Sequence, residues 1–324
     1  MSIKISRPGV LATLQDHGRQ GYRSIGVGAG GAMDFFAMSI ANYLVGNDED
    51  NAVIEIHFPA PEIVFEQDAM IAVTGANLNV VMDEIAVPGW NPLLVKKDSV
   101  LKFRQPVFGT RAYIAIKGGW QAEQWLSSFS THLKLSVGGH HGRALQKGDR
   151  VLFKPLQQNL AENIILTEFI SPQLMDEIYQ PFNEFRCLKG IEYELLDMDS
   201  EESFGSQDFI VSHQSDRMGY RLSSLPLLLK EPIELISSPV DAGTIQLLPD
   251  GNCIVLMADH PTTGGYPRIA SVIKADLPKL AQAKPGQSIH FRMITLKEAE
   301  ELYMKMKTKM EEIKLACQLQ LKNL

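Results

Sequence analysis

The apolar residues of this chain come in short runs, each closed by turn chemistry. Ile71–Val73, Val80–Met82, Val100–Phe103, Ala112–Ile116, Val151–Phe153, Ile254–Met257 and Ile289–Ile294 read as strands, separated by sequences such as Pro249-Asp-Gly251. Three strands share one lead-in: a Lys, a polar or Gly turn, then apolar residues. The instances are Lys97-Asp-Ser-Val-Leu-Lys-Phe103, Lys147-Gly-Asp-Arg-Val-Leu-Phe153 and Lys284-Pro-Gly-Gln-Ser-Ile-His-Phe291. A recurring unit of this kind points to repeated barrel or sandwich geometry. At 324 residues the chain is long enough for two such lobes. The expected fold is therefore mainly β, with two barrel-like lobes.

Helices are fewer. Asp34 to Val45 reads as one, with Asp34 as N-cap, Gly46 just past the end, and a stripe of Phe35, Met38, Ala41 and Leu44 or Val45. Ala275–Ala283 and Pro172–Pro181 are short candidates. From Thr295 to Leu321 there is no Gly or Pro, and Ala299, Tyr303, Met306, Met310, Ile313, Cys317 and Leu321 form a narrow stripe. This is a long C-terminal helix, packed on its own chain or against a partner; self-packing with a frayed end is the favoured expectation. The polar stretch after Pro155 divides the lobes, giving an N-terminal lobe over 1–158, a second over 159–295 and the helix over 296–324.

The net charge of −7 and the lack of basic runs argue against a nucleic-acid partner. No apolar run approaches membrane-spanning length. Cys187, Cys253 and Cys317 are scattered, which fits a reducing, cytoplasmic setting. There is no CxxC or HExxH motif, and His140-His141 beside Gly138-Gly139 reads as a loop, so no metal site is assigned.

Three segments are too polar for core. They are Thr13-Leu-Gln-Asp-His-Gly-Arg-Gln-Gly-Tyr22, Ser215-Asp-Arg-Met-Gly-Tyr-Arg-Leu222 and Met257-Ala-Asp-His-Pro-Thr-Thr-Gly-Gly-Tyr-Pro-Arg268. Guanidinium groups bind planar anions bidentately, and carboxylates at strand ends hold ligands or move protons. Asp16, Asp216, Arg217 and Asp259 are the catalytic candidates. Arg19, Tyr22, Tyr220, Arg221, Thr262, Thr263, Gly264 and Gly265 are the substrate-binding candidates, the glycines because they let backbone approach a ligand. Arg217 and Arg221 share a face if their turn is helical. The plain alternative is that the Asp and Arg residues brace loops as local ion pairs. Gly26 to Gly31, before the Asp34 helix, suits an anion, although Asp34 already places a carboxylate there. No Walker loop is present.

The wording of these segments resembles the allophanate hydrolase subunit 2-like family, also called the KipA-like or biotin-dependent carboxyltransferase-domain family. It rests on Thr13-x-Gln-Asp-x-Gly-Arg-x-Gly-Tyr22, Gly31-Ala-Met-Asp34, Asn42-x-Leu-Val-Gly-Asn47, Thr74-Gly-Ala76, Gly142-Arg-Ala-Leu145, Ser215-Asp-Arg-Met-Gly-Tyr-Arg221 and Thr262-Thr-Gly-Gly-Tyr-Pro267, over about residues 3–295. The resemblance implies cyclophilin-like barrels and a hydrolase subunit of the ATP-dependent 5-oxoprolinase type. It further implies a B-type (KipI-like) subunit and an A-type (lactam-utilisation) subunit as partners, ATP with Mg shared with a partner, and no covalently bound biotin. ATP would activate the 5-oxoproline lactam for ring opening to L-glutamate. The alternatives within the family are a carboxyltransferase-type subunit of a urea carboxylase/allophanate system and a regulatory protein antagonising a kinase inhibitor. Relatives often carry Gly-Ser-Arg-Ser-Thr-Tyr where this chain has Ser127-Ser-Phe-Ser-Thr-His132, so Phe129 removes a potential anion contact.

Overall fold

The computed structural model describes residues 1–154, 170 and 172–322. The chain divides into two units: Met1–Arg19, Gly30–Met175 and Thr308–Leu324 in the first, Gln20–Ala29 and Asp176–Lys307 in the second. The boundary expected at 158/159 and the run Ile164–Leu166 lie outside the described residues.

The first unit holds strands β1 (Ser2–Arg7), β2 (Leu11–Gln15), β3 (Val53–His57), β4 (Glu62–Phe65), β5 (Ala69–Asn77), β6 (Val80–Met82), β7 (Ile85–Ala86), β8 (Pro92–Val95), β9 (Val100–Phe103), β10 (Phe108–Ile116) and β11 (Arg150–Leu152). They form one sheet in the order β11-β1-β4-β9-β6-β7 and another in the order β2-β3-β10-β5-β8. Strand alternation puts Ile3, Ile5, Ala12, Leu14, Ile54, Ile56, Ala112, Ile114 and Ile116 into one buried core. The opposite face of the second sheet carries helix α1 (Phe35–Leu44), which packs on β5 and β10. Asp34 caps α1, accepting from Ala37 N–H at 2.9 Å, and Gly46 follows the end at φ 73°. The helix is buried from Phe36 to Leu44, so the single stripe expected from its sequence gives way to burial all round.

The second unit contains β12 (Glu184–Lys189), β13 (Phe209–Val211), β14 (Gly219–Ser223), β15 (Ser238–Pro239), β16 (Thr244–Leu247), β17 (Cys253–Leu256), β18 (Thr263–Gly264), β19 (Arg268–Val272) and β20 (Ser288–Met293). Seven of these close a barrel in the order β12-β19-β16-β17-β14-β13-β20, while β15 and β18 pair separately. Phe204, Phe209 and Phe291 pack together inside it, Phe204 stacked on Phe291 at 5.4 Å.

The three Lys-turn-strand lead-ins fold alike. Each places one residue at positive φ: Asp98 at 69°, Gly148 at 94° and Gly286 at 81°. The N–H of that residue donates to a neighbouring strand or its end, at the carbonyls of Phe65, Ile5 and Val211 respectively. Phe65, Ile5 and Val211 donate their own N–H back, to the carbonyls of Ser99, Asp149 and Gln287. The sequence repeat is thus a shared turn that enters β9, β11 and β20.

Helix α2 (Pro172–Tyr179) and α4 (Leu277–Ala281) lie within the ranges expected. Helix α3 (Met198–Phe204) was not expected; Asp197 caps it by accepting from Ser200 N–H at 2.8 Å. Helix α5 runs Leu296–Lys322. It starts with a capping box, Glu298 accepting from Thr295 N–H at 2.8 Å while Thr295 Oγ1 accepts from Glu298 N–H at 3.3 Å. Ala299, Met306, Met310, Ile313 and Cys317 are buried, so the stripe packs on its own chain. No helix among the described residues is long and apolar enough to cross a membrane.

Candidate functional site

In the second unit the Ser215–Leu222 segment is a turn followed by strand, not a helix. Asp216 Oδ1 accepts from Met218 N–H at 2.7 Å and Gly219 N–H at 3.2 Å, closing the turn. From Gly219 the chain is strand β14, so side chains alternate. Tyr220 and Leu222 are buried and Arg221 is exposed. The expected shared face of Arg217 and Arg221 is therefore absent, because period two replaces period 3.6. Tyr220 donates its hydroxyl to Ala281 C=O at 3.3 Å.

Arg217 is 5% exposed and binds Asp259 bidentately, Nε to Oδ2 at 2.8 Å and Nη2 to Oδ1 at 3.0 Å. Asp259 N–H also donates to Arg217 C=O at 2.8 Å. Two of the four catalytic candidates are thus each other's partners, 42 residues apart in sequence. This arrangement locks the end of β17 to the turn before β14.

Thr263 and Gly264 form β18, paired with Ser238 and Pro239, and Thr262 C=O accepts from Val240 N–H. A Cβ on Gly264 would stand 2.4 Å from Gln246 Nε2. The glycine therefore makes room for a protein side chain, where the sequence suggested room for a ligand. Beside it lies an open groove of about 580 Å³ lined by Asp216, Arg221, Gln246, Asp250 and Tyr266 with apolar neighbours. Gln246 was not among the sequence candidates; an isolated glutamine on a strand gives no signal.

Tyr22 starts a 3-10 turn over Arg23–Ile25, within the second unit. Arg23 lies 3.3 Å from Asp241 and donates to Val240 C=O. His260 is buried, and its Nδ1 contacts Pro261 C=O at 2.6 Å, so Nδ1 carries the proton. Burial lowers the His260 pKa and keeps the ring neutral. A Cβ on Gly28 would come within 3.0 Å of His260 C=O, so this part of the Gly-rich loop serves close backbone packing.

In the first unit Asp16 is 5% exposed and accepts four hydrogen bonds. They come from Gly18 N–H at 2.8 Å, Ser128 Oγ at 2.7 Å, Phe129 N–H at 2.5 Å and Ser130 Oγ at 2.5 Å. The expected Asp16–Arg19 brace is replaced by a brace to a loop 112 to 114 residues away. Phe129 contributes its backbone N–H to this anchor. Arg19 is buried, donates Nη2 to Ser130 C=O, and lies 4.9 Å over the Trp125 ring.

A polar cluster that the sequence did not single out lies on the α1 side of the second sheet. Glu55 faces Tyr113 and His57 faces Arg111 in register across β3 and β10. Glu55 accepts from Met33 N–H and Tyr113 accepts from Asp34 N–H, both at 2.8 Å. Burial, then the Arg111 charge, pushes the His57 pKa down to about 4. Strand alternation was the available signal: Glu55 and Arg111 interrupt otherwise apolar strands. Elsewhere, burial raises all three thiols to about 12, which excludes a resting thiolate. The His140 and His141 rings pack at 4.4 Å, each beside its own carboxylate, Asp149 or Glu123.

Residues 25–293 match the carboxyltransferase domain, subdomain A and B, and the chain belongs to that family. It is 39% identical over 298 residues to the C-type subunit of 5-oxoprolinase from Escherichia coli (strain K12), covering 92% of this chain and 93% of that protein. It is 36% identical over 304 residues to the corresponding 5-oxoprolinase subunit from Haemophilus influenzae, covering 94% of each. Among solved structures, the Kluyveromyces lactis urea amidolyase superposes with a TM-score of 0.86 at 25% identity. That match covers 96% of this chain but only 20% of the longer protein.

Proposed function

We propose that this chain is the C-type subunit of an ATP-dependent 5-oxoprolinase. In this reading it works in the cytoplasm with a B-type (KipI-like) and an A-type (lactam-utilisation) subunit, and the assembled enzyme opens 5-oxoproline to L-glutamate. The observation that carries the reading is coverage: 39% identity extends over 93% of a protein named as the C-type 5-oxoprolinase subunit. The urea amidolyase match spans only a fifth of a larger protein. A second reading, a carboxyltransferase-type subunit of a urea carboxylase/allophanate system, draws on the TM-score of 0.86 to that enzyme. In neither reading is biotin attached to this chain.

Among the described residues no three His, Cys, Asp or Glu side chains converge to hold a metal. Arg186, Arg217 and Arg268, whose charge could balance a polyphosphate, each hold a carboxylate bidentately. In this reading ATP with Mg is shared between this chain and a partner subunit. What this chain contributes is amide binding and orientation on a rigid barrel.

The test is a drop-out reconstitution with the two partner subunits, following 5-oxoproline-dependent ATP hydrolysis and glutamate release. The expected result is negligible turnover from this chain alone and from the partners without it, and full turnover with all three. Full turnover without this chain, or from this chain alone, overturns the reading.

A further inference from the structure

The groove on the second unit's barrel contains two polar groups with no assigned task. Arg221 and Gln246 both pair with Ile254 in register, on β14, β17 and β16, so the three stand in one row across neighbouring strands. With strands about 4.8 Å apart, the row spans about 10 Å from backbone to backbone. Arg186, Arg217, Arg268 and Arg292 of the same unit each bind a carboxylate. Arg221 makes no side-chain hydrogen bond or ion pair among the described residues, yet lines the groove.

Gln246 is 4% exposed. Its Nε2 donates to Tyr266 C=O at 3.4 Å, which fixes the amide orientation, since a carbonyl only accepts. Its Oε1 accepts no hydrogen bond among the described residues, and the side chain lines the groove on the same strand face as Arg221 and Ile254. An acceptor open to the groove can take a ligand N–H in place of water. The carboxylates at the groove, Asp216 and Asp250, already accept from Met218 and Gly219 N–H and from Asn252. Two carboxylates against one guanidinium disfavour a polyanion and favour a ligand that offers an N–H and a carbonyl oxygen.

We propose that this groove binds a small cyclic amide, its ring on Ile254, its N–H donated to Gln246 Oε1 and its carbonyl oxygen accepting from Arg221. The choice of ligand rests on the 5-oxoprolinase reading, while the groove chemistry does not. Lactams and cyclic ureas share this N–H and C=O pair, so either is a source.

The test is ligand-observed NMR titration of the full chain with 5-oxoproline, 2-pyrrolidinone, 2-imidazolidinone and N-methyl-2-pyrrolidinone. Saturable binding is expected for at least one of the first three, with at least tenfold weaker binding for the N-methyl compound, which lacks the donor. Stronger binding of 5-oxoproline and 2-pyrrolidinone identifies a lactam; stronger binding of 2-imidazolidinone identifies a cyclic urea. Arg221→Ala, at an exposed position, should weaken binding about tenfold to a hundredfold, as should Gln246→Leu, with Arg292→Ala as the unchanged control. Equal binding of the N-methyl compound, wild-type affinity in Arg221→Ala, or no binding of any amide overturns the proposal. Wild-type 5-oxoproline turnover by a complex carrying Arg221→Ala overturns the groove and spares the 5-oxoprolinase reading. Arg221-dependent amide binding with no 5-oxoproline turnover in the assembled wild-type complex does the reverse.

Discussion

Replacing Arg217 with Ala should damage the fold before it damages any chemistry. The side chain is 6% exposed and its partner carboxylate, Asp259, is 22% exposed. Removing one member of a buried pair costs about 3–5 kcal/mol, because the other charge remains without compensation. Asp259 keeps some contact with water, so the low end applies, about 3 kcal/mol. At 1.36 kcal/mol per decade this is a change of about 150-fold in the folding equilibrium. For a unit of this size it lowers Tm by about 6–12 °C. Arg217→Lys should recover less than half of the loss, since an ammonium cannot reproduce the two-pronged contact. Thermal unfolding followed by circular dichroism measures the loss, and glutamate release by the assembled complex at a temperature where the variant is folded measures turnover. An unchanged Tm together with a hundredfold loss of turnover would refute the bracing argument and assign Arg217 to the reacting groups.

Asp16→Ala removes the acceptor for two hydroxyls and two backbone N–H groups, and should cost about 2–4 kcal/mol in urea unfolding; a loss under about 1 kcal/mol would contradict the loop-anchoring role. His57 has a folded pKa of about 4 against 6.5 unfolded, so its contribution is intact above about pH 6.5 and is lost as pH falls towards 4. The stability–pH curve of His57→Gln should be flatter across that window, and identical curves would count against it. Gly142→Ala sets a Cβ 1.9 Å from the Ser136 carbonyl carbon at a φ of 63°, and should abolish soluble expression or lower Tm by more than about 10 °C. A Tm within about 2 °C of wild type would show that the loop can shift.

Local features were readable from the sequence; long-range partners were not. The strands at 100–103 and 289–293, the Asp34 cap, the Gly46 stop and the stripe from Ala299 to Cys317 all follow from short-range patterns. So does the Lys-turn-strand unit, whose turn needs one residue at positive φ. The partner of Arg217 is 42 residues away and three of the four donors to Asp16 are 112 or more away, and one sequence carries no information on such pairings. Local reasoning paired Asp16 with Arg19 because they are neighbours. The approach of Gln246 from β16 to Gly264 is another long-range contact that local patterns do not announce. Gln246 matters only because of where the barrel puts it, across Ile254 from Arg221.

The most direct test of the proposed activity is a substrate comparison in one preparation. The chain, combined with the proposed B-type and A-type subunits, is given ATP and either 5-oxoproline or urea, the latter with bicarbonate and a biotin carboxylase bearing its biotin carrier. Glutamate formation from 5-oxoproline, dependent on this chain and with no carboxylation of urea, is the predicted result. Carboxylation of urea with no glutamate from 5-oxoproline would contradict it.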